Sequence, residues 1–182
     1  MKSNPKKNPQ SKTEASDKAT DKELDSDLNN LSAIHKIELT VTNNIGEDLI
    51  PKPMYNWFDS GGMKTPQSSI LNGYASTVSF QENDYLKGCS GYIVYAGIQT
   101  GNLLFIAFSN PAVGKNKLGV DDLYPTTDTT EISAHGDNLW GGMSDHSYDP
   151  FTQELFYFKR SKAECQCSGG KTNEATVHLI RS

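Results

Sequence analysis

The chain has few of the residues that mark several common classes of protein. It contains three cysteines, too few for the disulfide framework of a small secreted domain. No uncharged apolar run approaches the roughly 18 residues that a membrane-spanning helix needs. Arginine occurs only at Arg160 and Arg181 and the net charge is -5. The basic, arginine-rich face of a nucleic-acid-binding protein is therefore not expected.

Polar residues are concentrated at the N-terminus. The first 30 residues contain six lysines and six acidic residues, so the charges of this segment cancel. The segment has only five apolar residues, so it cannot bury enough apolar surface to offset the conformational entropy that ordering would cost. We predict a disordered tail over residues 1–33 and one folded domain over 34–182. Aliphatic residues within 22–34 follow a helical spacing, so a short helix there is the alternative. No apolar segment follows the first lysines, so no secretory signal is expected.

Residues 34–182 carry the pattern of a β protein. Ile37, Leu39 and Val41 alternate with polar residues, and the apolar runs 91–96 and 102–108 predict a hairpin that is buried on both faces. Turn signals recur about every ten residues. We predict an all-β fold, a single compact β-sandwich with one or two short flanking helices. The other predicted elements are strands over 54–58, 76–80, 154–159 and 175–180 and a short helix over 117–123.

Residue types that support catalysis gather only between Ile132 and Asp149. His135, Asp137 and His146 could act as metal ligands, but the segment is also typical of a polar loop, in which no spacing rule orients the histidines. The sequence has no serine-nucleophile elbow and no glycine-rich phosphate-binding motif. We therefore expect no enzymatic activity, no metal site and no cofactor.

The aromatic residues offer a different function, which is binding at the surface of a rigid β scaffold. Phe156 and Phe158 alternate within a predicted strand and are expected in the core. Tyr124, Trp140 and Tyr148 lie in predicted turns and are expected nearer the surface. Exposed tryptophan and tyrosine suit a membrane–water interface, a sugar face or a choline cage, and composition does not choose among them.

One stretch resembles a known family. Residues 88–95 (GCSGYIVY) and 101–111 (GNLLFIAFSNP) are similar to the central hairpin of the actinoporin-like cytolysins. That hairpin typically shows G-x-x-G-hydrophobic-x-x-Y, a turn with G-N-T-L and a strand ending in F-S-x-P. The segments 37–44, 57–61 (WFDSG) and 168–181 resemble other parts of the family in the same order. The similarity is collinear over about residues 36–111.

The resemblance implies a β-sandwich that binds phosphocholine head groups, especially of sphingomyelin, and that oligomerises into pores through an N-terminal amphipathic helix. The family's motifs would place Ser60, Ser109 and Pro111 in the head-group pocket, with Tyr124 or Tyr157 as a pocket tyrosine. The implied location is secreted or membrane-associated on target cells, with the cytoplasm as the alternative. Fungal fruit-body lectins resemble actinoporins in fold and bind sugars without making pores.

Two departures from the family pattern bear on this function. The loop 112–117 (AVGKNK) has no aromatic residue where the family carries a tyrosine- and tryptophan-rich loop, and the N-terminal tail lacks the apolar face of a membrane helix. These departures argue against pore formation by the family's usual route, whereas the resemblance as a whole implies a membrane-lipid-binding protein similar to the pore-forming cytolysins. A soluble glycan-binding lectin or interaction module on the same fold is the alternative.

Overall fold

A computed structural model of the chain describes residues 34–83, 87–146 and 148–181, and these residues form eleven strands and one α-helix. The elements are β1 (Lys36–Asn44), β2 (Leu49–Pro51), a 3₁₀ turn (Pro53–Tyr55), β3 (Trp57–Ser60), β4 (Gly62–Thr65), β5 (Ala75–Gln81), β6 (Cys89–Gly97), β7 (Leu103–Asn110), β8 (Lys117–Leu123), α1 (Thr129–Gly142), β9 (Phe151–Leu155), β10 (Ser161–Cys167) and β11 (Thr172–Arg181). No helix in this part of the chain is long and apolar enough to span a bilayer. The predicted tail over 1–33 lies outside the described residues.

The strands form two sheets. Sheet A has the order β4-β5-β1-β11-β10-β9, and sheet B has the order β2-β6-β7-β8, with β3 also paired to β6. The first and last strands, β1 and β11, run parallel in the middle of sheet A, from the pair Lys36–Thr172 to the pair Asn44–Ile180. The predicted all-β sandwich is confirmed.

Alternating side chains build the core between the sheets. Ile37, Leu39 and Val41 of β1 are fully buried against sheet B, whose inner face includes Ile93 and Leu104. The outer face of sheet B is also covered, because Tyr92, Phe105 and their neighbours pack against α1 and the 3₁₀ turn. The two apolar runs of the β6–β7 hairpin are thus buried on both faces, as their sequence predicts.

The helix does not lie where the sequence predicts one. Residues 117–123 form β8, and α1 occupies the segment that is typical of a polar loop. The Asp128 carboxylate caps α1 by accepting the N–H groups of Thr130 and Glu131. Glycines make the segment a poor helix by propensity, but Ile132 and Met143 bury their side chains against sheet B. Packing against sheet B, and not intrinsic helix propensity, therefore stabilises α1.

Two aromatic segments also differ from prediction. The predicted strand 54–58 begins as the 3₁₀ turn, and β3 runs only over Trp57–Ser60. The predicted strand 154–159 ends at Leu155, and the chain then turns. Phe158 is buried as expected, but Phe156 is 83% exposed instead of lying in the core. The turn forms because the Asp122 carboxylate accepts the backbone N–H groups of residues 156, 157 and 158.

Candidate functional site

Three serines form a row on the outer face of sheet B. Ser60 of β3 is paired with Ser90 of β6, and Ser90 is paired in turn with Ser109 of β7. The Oγ atoms of Ser60 and Ser90 are 3.3 Å apart, and Ser90 Oγ donates to Asp59 Oδ2 at 3.2 Å. Cross-strand partners point to the same side of a sheet. The two serines that the sequence nominates therefore lie on one face, with a third hydroxyl between them.

Glycines make this arrangement possible. A Cβ on Gly61 would lie 2.6 Å from the carbonyl oxygen of Gln81, and a Cβ on Gly88 would lie 2.3 Å from the carbonyl oxygen of Asn110. Both residues also have positive φ, at 74° and 73°, which other residues rarely adopt. The β3–β4 turn can therefore pack against β5 and Cys89 of β6, and the end of β7 can pack against Gly88, close to the serine row.

The two tryptophans of the protein lie together beside the serine row. Trp57 of β3 contacts Trp140 of α1 edge to face, with ring centroids 5.1 Å apart, and stacks on Tyr92 at 5.8 Å. Trp57 is 36% exposed, so part of its ring is open to a ligand. The buried Nε1 N–H of Trp140 has no acceptor among the described residues. We call the set Trp57, Asp59, Ser60, Ser90, Ser109 and Trp140 the serine–tryptophan patch.

Pro111 and three charged residues lie at the edge of this patch. Pro111 follows β7 directly and is half-buried beside Gly88. Lys117 of β8 is paired with Ser109 and forms an isolated backbone bridge with Asp145. Lys115 is 2.9 Å from Asp145 Oδ2. The edge of the patch is therefore polar and carries both signs of charge.

The structure does not bring the two predicted tyrosines to this patch. Tyr124 follows the far end of β8, whose first residue is paired with Ser109. Seven residues of strand separate the two ends, which is about 20 Å. Tyr157 lies with Tyr124 at that far end, with ring centroids 5.7 Å apart. Ser60, Ser109 and Pro111 are thus neighbours, whereas Tyr124 and Tyr157 belong to another surface.

The histidines of the metal hypothesis have other partners. His135 lies on α1, not in a loop as the sequence indicates, with Nε2 3.3 Å from Asp121 Oδ2 and its ring against Phe105. The ring of His146 stacks on Phe151 with centroids 3.9 Å apart. Across the described ranges, no group of three or more histidine, cysteine, aspartate or glutamate side chains could hold a metal ion.

A cavity lies away from the patch. Its volume is about 660 Å³, and its walls include Lys52, Tyr55, Ile98 and Pro125, near the β6–β7 turn and the start of α1. The patch itself is an open surface of aromatic and hydroxyl groups. Trp57 is not among the site residues that the sequence motifs predict, although it lies in the segment WFDSG beside Ser60.

Comparison with known proteins supports the fold. The lipid-binding protein Nakanori has a similar structure, with a TM-score of 0.67 and 16% identity over 91% of this chain and 80% of that chain. A wild-type and a mutated form of the Xerocomus chrysenteron lectin XCL each give a TM-score of 0.48 and 14% identity over 80% of this chain, covering 99% and 97% of the lectin. No known protein family and no curated protein sequence matches the chain.

Proposed function

We propose that the protein binds membrane lipids at its surface and recognises the choline head group at the serine–tryptophan patch. The observation that carries the proposal is the contact of Trp57 and Trp140 beside the hydroxyl row Ser60–Ser90–Ser109. The similarity in fold to a lipid-binding protein supports a lipid ligand. The proposal includes no catalytic step.

Phosphocholine has two parts, and the patch offers a partner for each. A quaternary ammonium binds to the face of an aromatic ring, tryptophan best of all, and part of the Trp57 ring is open. Hydroxyl groups donate hydrogen bonds to phosphate oxygens, and the Ser60 and Ser109 side chains are half-buried on the next row of the same face. Neighbouring rows on one face of a strand are about 7 Å apart. One head group can therefore contact both rows.

Asp59 favours a second candidate, a glycan. Its exposed carboxylate already accepts a hydrogen bond from Ser90, so it can also accept hydrogen bonds from sugar hydroxyls, whereas it repels a phosphate. A sugar ring would stack on Trp57 in place of the ammonium. The choline and the glycan proposals use the same residues, so ligand competition separates them.

Intrinsic fluorescence gives a direct test, because both tryptophans of the protein lie in the patch. We expect phosphocholine to change tryptophan emission saturably and to reduce binding to vesicles that contain sphingomyelin. The Trp57→Ala and Ser109→Ala variants should each weaken this binding about tenfold or more. Ser68→Ala is the matched control, since the Ser68 hydroxyl contacts Ser76 outside the patch.

Two outcomes would count against choline recognition. The first is equal binding to vesicles with and without choline lipids. The second is displacement of the protein by a simple sugar but not by phosphocholine, which would favour the glycan.

Pore formation is tested separately by release of a trapped dye. We expect binding without dye release, because the residues 112–117 contain no aromatic side chain and the N-terminal tail has few apolar residues.

A further inference from the structure

Exposed aromatic side chains lie at the end of the sandwich opposite the serine–tryptophan patch. Phe156 is 83% exposed, Tyr157 is 37% exposed and Tyr124 is 41% exposed. Their rings form a chain, with Phe156 on Tyr157 at 5.2 Å and Tyr157 on Tyr124 at 5.7 Å. Large aromatics are normally buried. Three of them in contact at the surface indicate an interaction site.

Basic residues lie in the same turn as Phe156 and on the neighbouring strand. Lys159 and Arg160 are exposed in the same turn, and Arg181 is exposed on the neighbouring strand, where it is paired with Ser161. Arg160 and Arg181 are the only arginines of the sequence. None of the three basic side chains forms an ion pair within the described ranges. We call Tyr124, Phe156, Tyr157, Lys159, Arg160 and Arg181 the aromatic pole.

Nearby acidic groups are already occupied by hydrogen-bond donors. The buried Asp122 carboxylate accepts three backbone N–H groups from residues 156–158. The buried Glu47 carboxylate accepts the N–H groups of Gln99 and Thr100 and the Thr100 hydroxyl. On the α1 side, Glu131 accepts from the Tyr124 hydroxyl, and Asp128 caps the helix. These carboxylates keep their charge, but Asp122 and Glu47 are buried. The exposed charges of the turn itself, on Lys159 and Arg160, are positive, and the exposed Glu154 lies on β9 two residues before Phe156.

Hydrogen bonds fix the backbone conformation of the turn that follows β9. Lys159 and Arg160 both have positive φ, at 49° and 60°, a conformation in which glycine or asparagine costs less than a long side chain. The Asp122 hydrogen bonds and one from the Asn102 side chain to the Tyr157 carbonyl hold this conformation. Two basic residues thus occupy strained positions next to an exposed phenylalanine.

We infer that the aromatic pole is a docking surface for the interface of an anionic phospholipid membrane. Aromatic rings favour the boundary between head groups and hydrocarbon. Arginine pairs with phosphate through two parallel hydrogen bonds, and lysine contributes charge. This surface is separate from the patch of the proposed function, lies about 20 Å from it along the strands and needs no choline.

Choline-free vesicles of phosphatidylglycerol and phosphatidylethanolamine test the inference. We expect the full chain to float with these vesicles at low salt and to dissociate as salt is raised. Phe156→Ser, and separately Arg160→Gln combined with Arg181→Gln, should each reduce binding at least tenfold. Leu71→Ser and Lys64→Gln are the matched controls, since each changes an exposed residue of the same class away from the pole. Melting temperatures establish that every variant is folded.

A reporter variant locates the contact. With Phe156→Trp placed on a Trp57→Phe, Trp140→Phe background, vesicles should shift the emission to the blue, and lipids brominated on the acyl chain should quench it. No binding by the native chain, or equal binding by Phe156→Ser, would overturn the inference. So would a blue shift that depends on protein concentration without lipid, which would indicate self-association. Free phosphocholine should leave binding to these choline-free vesicles unchanged. The choline proposal can therefore fail without affecting the result of this experiment.

Discussion

The buried carboxylate of Glu82, just after β5, connects this strand to the residues that precede β1 and β6. It accepts hydrogen bonds from the His35 N–H at 3.0 Å, from His35 Nδ1 at 3.1 Å and from the Gly88 N–H at 3.2 Å. Burial alone would raise the pKa of this carboxyl, but the hydrogen bonds from His35 and Gly88 outweigh it and lower the pKa. The charged form is therefore favoured in the folded state.

This lowered pKa predicts acid sensitivity. The stabilisation is fully present above the carboxyl's unfolded pKa of 4.5 and is lost as the pH falls through the lower folded pKa. We expect Glu82→Gln to lower the free energy of unfolding by about 2 kcal/mol at pH 7 and by less at pH 3. Urea unfolding at both pH values checks this. The exposed Glu38→Gln is the control, and an equal loss at both pH values for Glu82→Gln would contradict the prediction.

The three cysteines give a second prediction at the scale of the residue. Burial raises the pKa of the Cys89 and Cys165 thiols to about 12 and that of Cys167 to about 11, and none of the three is in a disulfide. Only the thiolate reacts quickly with alkylating agents. We expect no labelling of the native protein by iodoacetamide at pH 8 and labelling of all three cysteines in denaturant, as measured by mass spectrometry. Rapid native labelling would show that the sandwich opens.

At the scale of the element, α1 contains two glycines that should respond in opposite ways to alanine. A Cβ on Gly136 would lie 2.3 Å from the Tyr92 ring, whereas a Cβ on Gly141 would meet nothing within 4 Å. We expect Gly136→Ala to destabilise the protein by about 1–3 kcal/mol through overpacking. Gly141→Ala should stabilise it by up to about 1 kcal/mol through helix propensity. Thermal unfolding of the two variants measures the difference, and equal shifts would mean that α1 does not pack as described.

The elements differ in how far the sequence predicts them. The β6–β7 hairpin is predictable because continuous apolar runs and a glycine turn are local signals. The helix α1 is not, because its apolar residues matter only once sheet B exists to receive them. The exposed position of Phe156 depends on Asp122, which lies 34 residues earlier in the chain. Such a contact leaves no local pattern.

The residues of the candidate site also differ in how far the sequence predicts their positions. Ser60 and Ser109 can be predicted as neighbours of a binding site because each lies in a short motif that resembles the family's, and strand pairing brings them to one row. The pairing of Trp57 with Trp140 requires α1 to cross sheet B, so it was not predictable from spacing. The family motifs predict Tyr124 or Tyr157 beside the serines, but the length of β8 separates both tyrosines from that row. The end of the sandwich at which a residue lies depends on the strand topology, which the short motifs do not indicate.

For the whole molecule, folding depends on the last strand. β11 is paired with β1 on one side and β10 on the other in the middle of sheet A, so its loss would divide the sheet. We expect a chain that ends at Gly170 to show no cooperative unfolding transition by circular dichroism. A chain that lacks residues 1–30 is the control and should melt as the full chain does. A cooperative transition in the shorter chain would contradict this central role.

The parallel pairing of β1 with β11 also determines how the protein responds to mechanical force. β1 enters the sheet at Lys36, beside Thr172, and β11 leaves it at Arg181, beyond the Asn44–Ile180 pair. Tension applied between the two chain ends would therefore pull these strands past each other along their length. All their mutual hydrogen bonds would bear the load together instead of opening one at a time. A domain tethered by its ends, for example between a surface and a bead, should resist extension until the whole β1–β11 ladder yields at once.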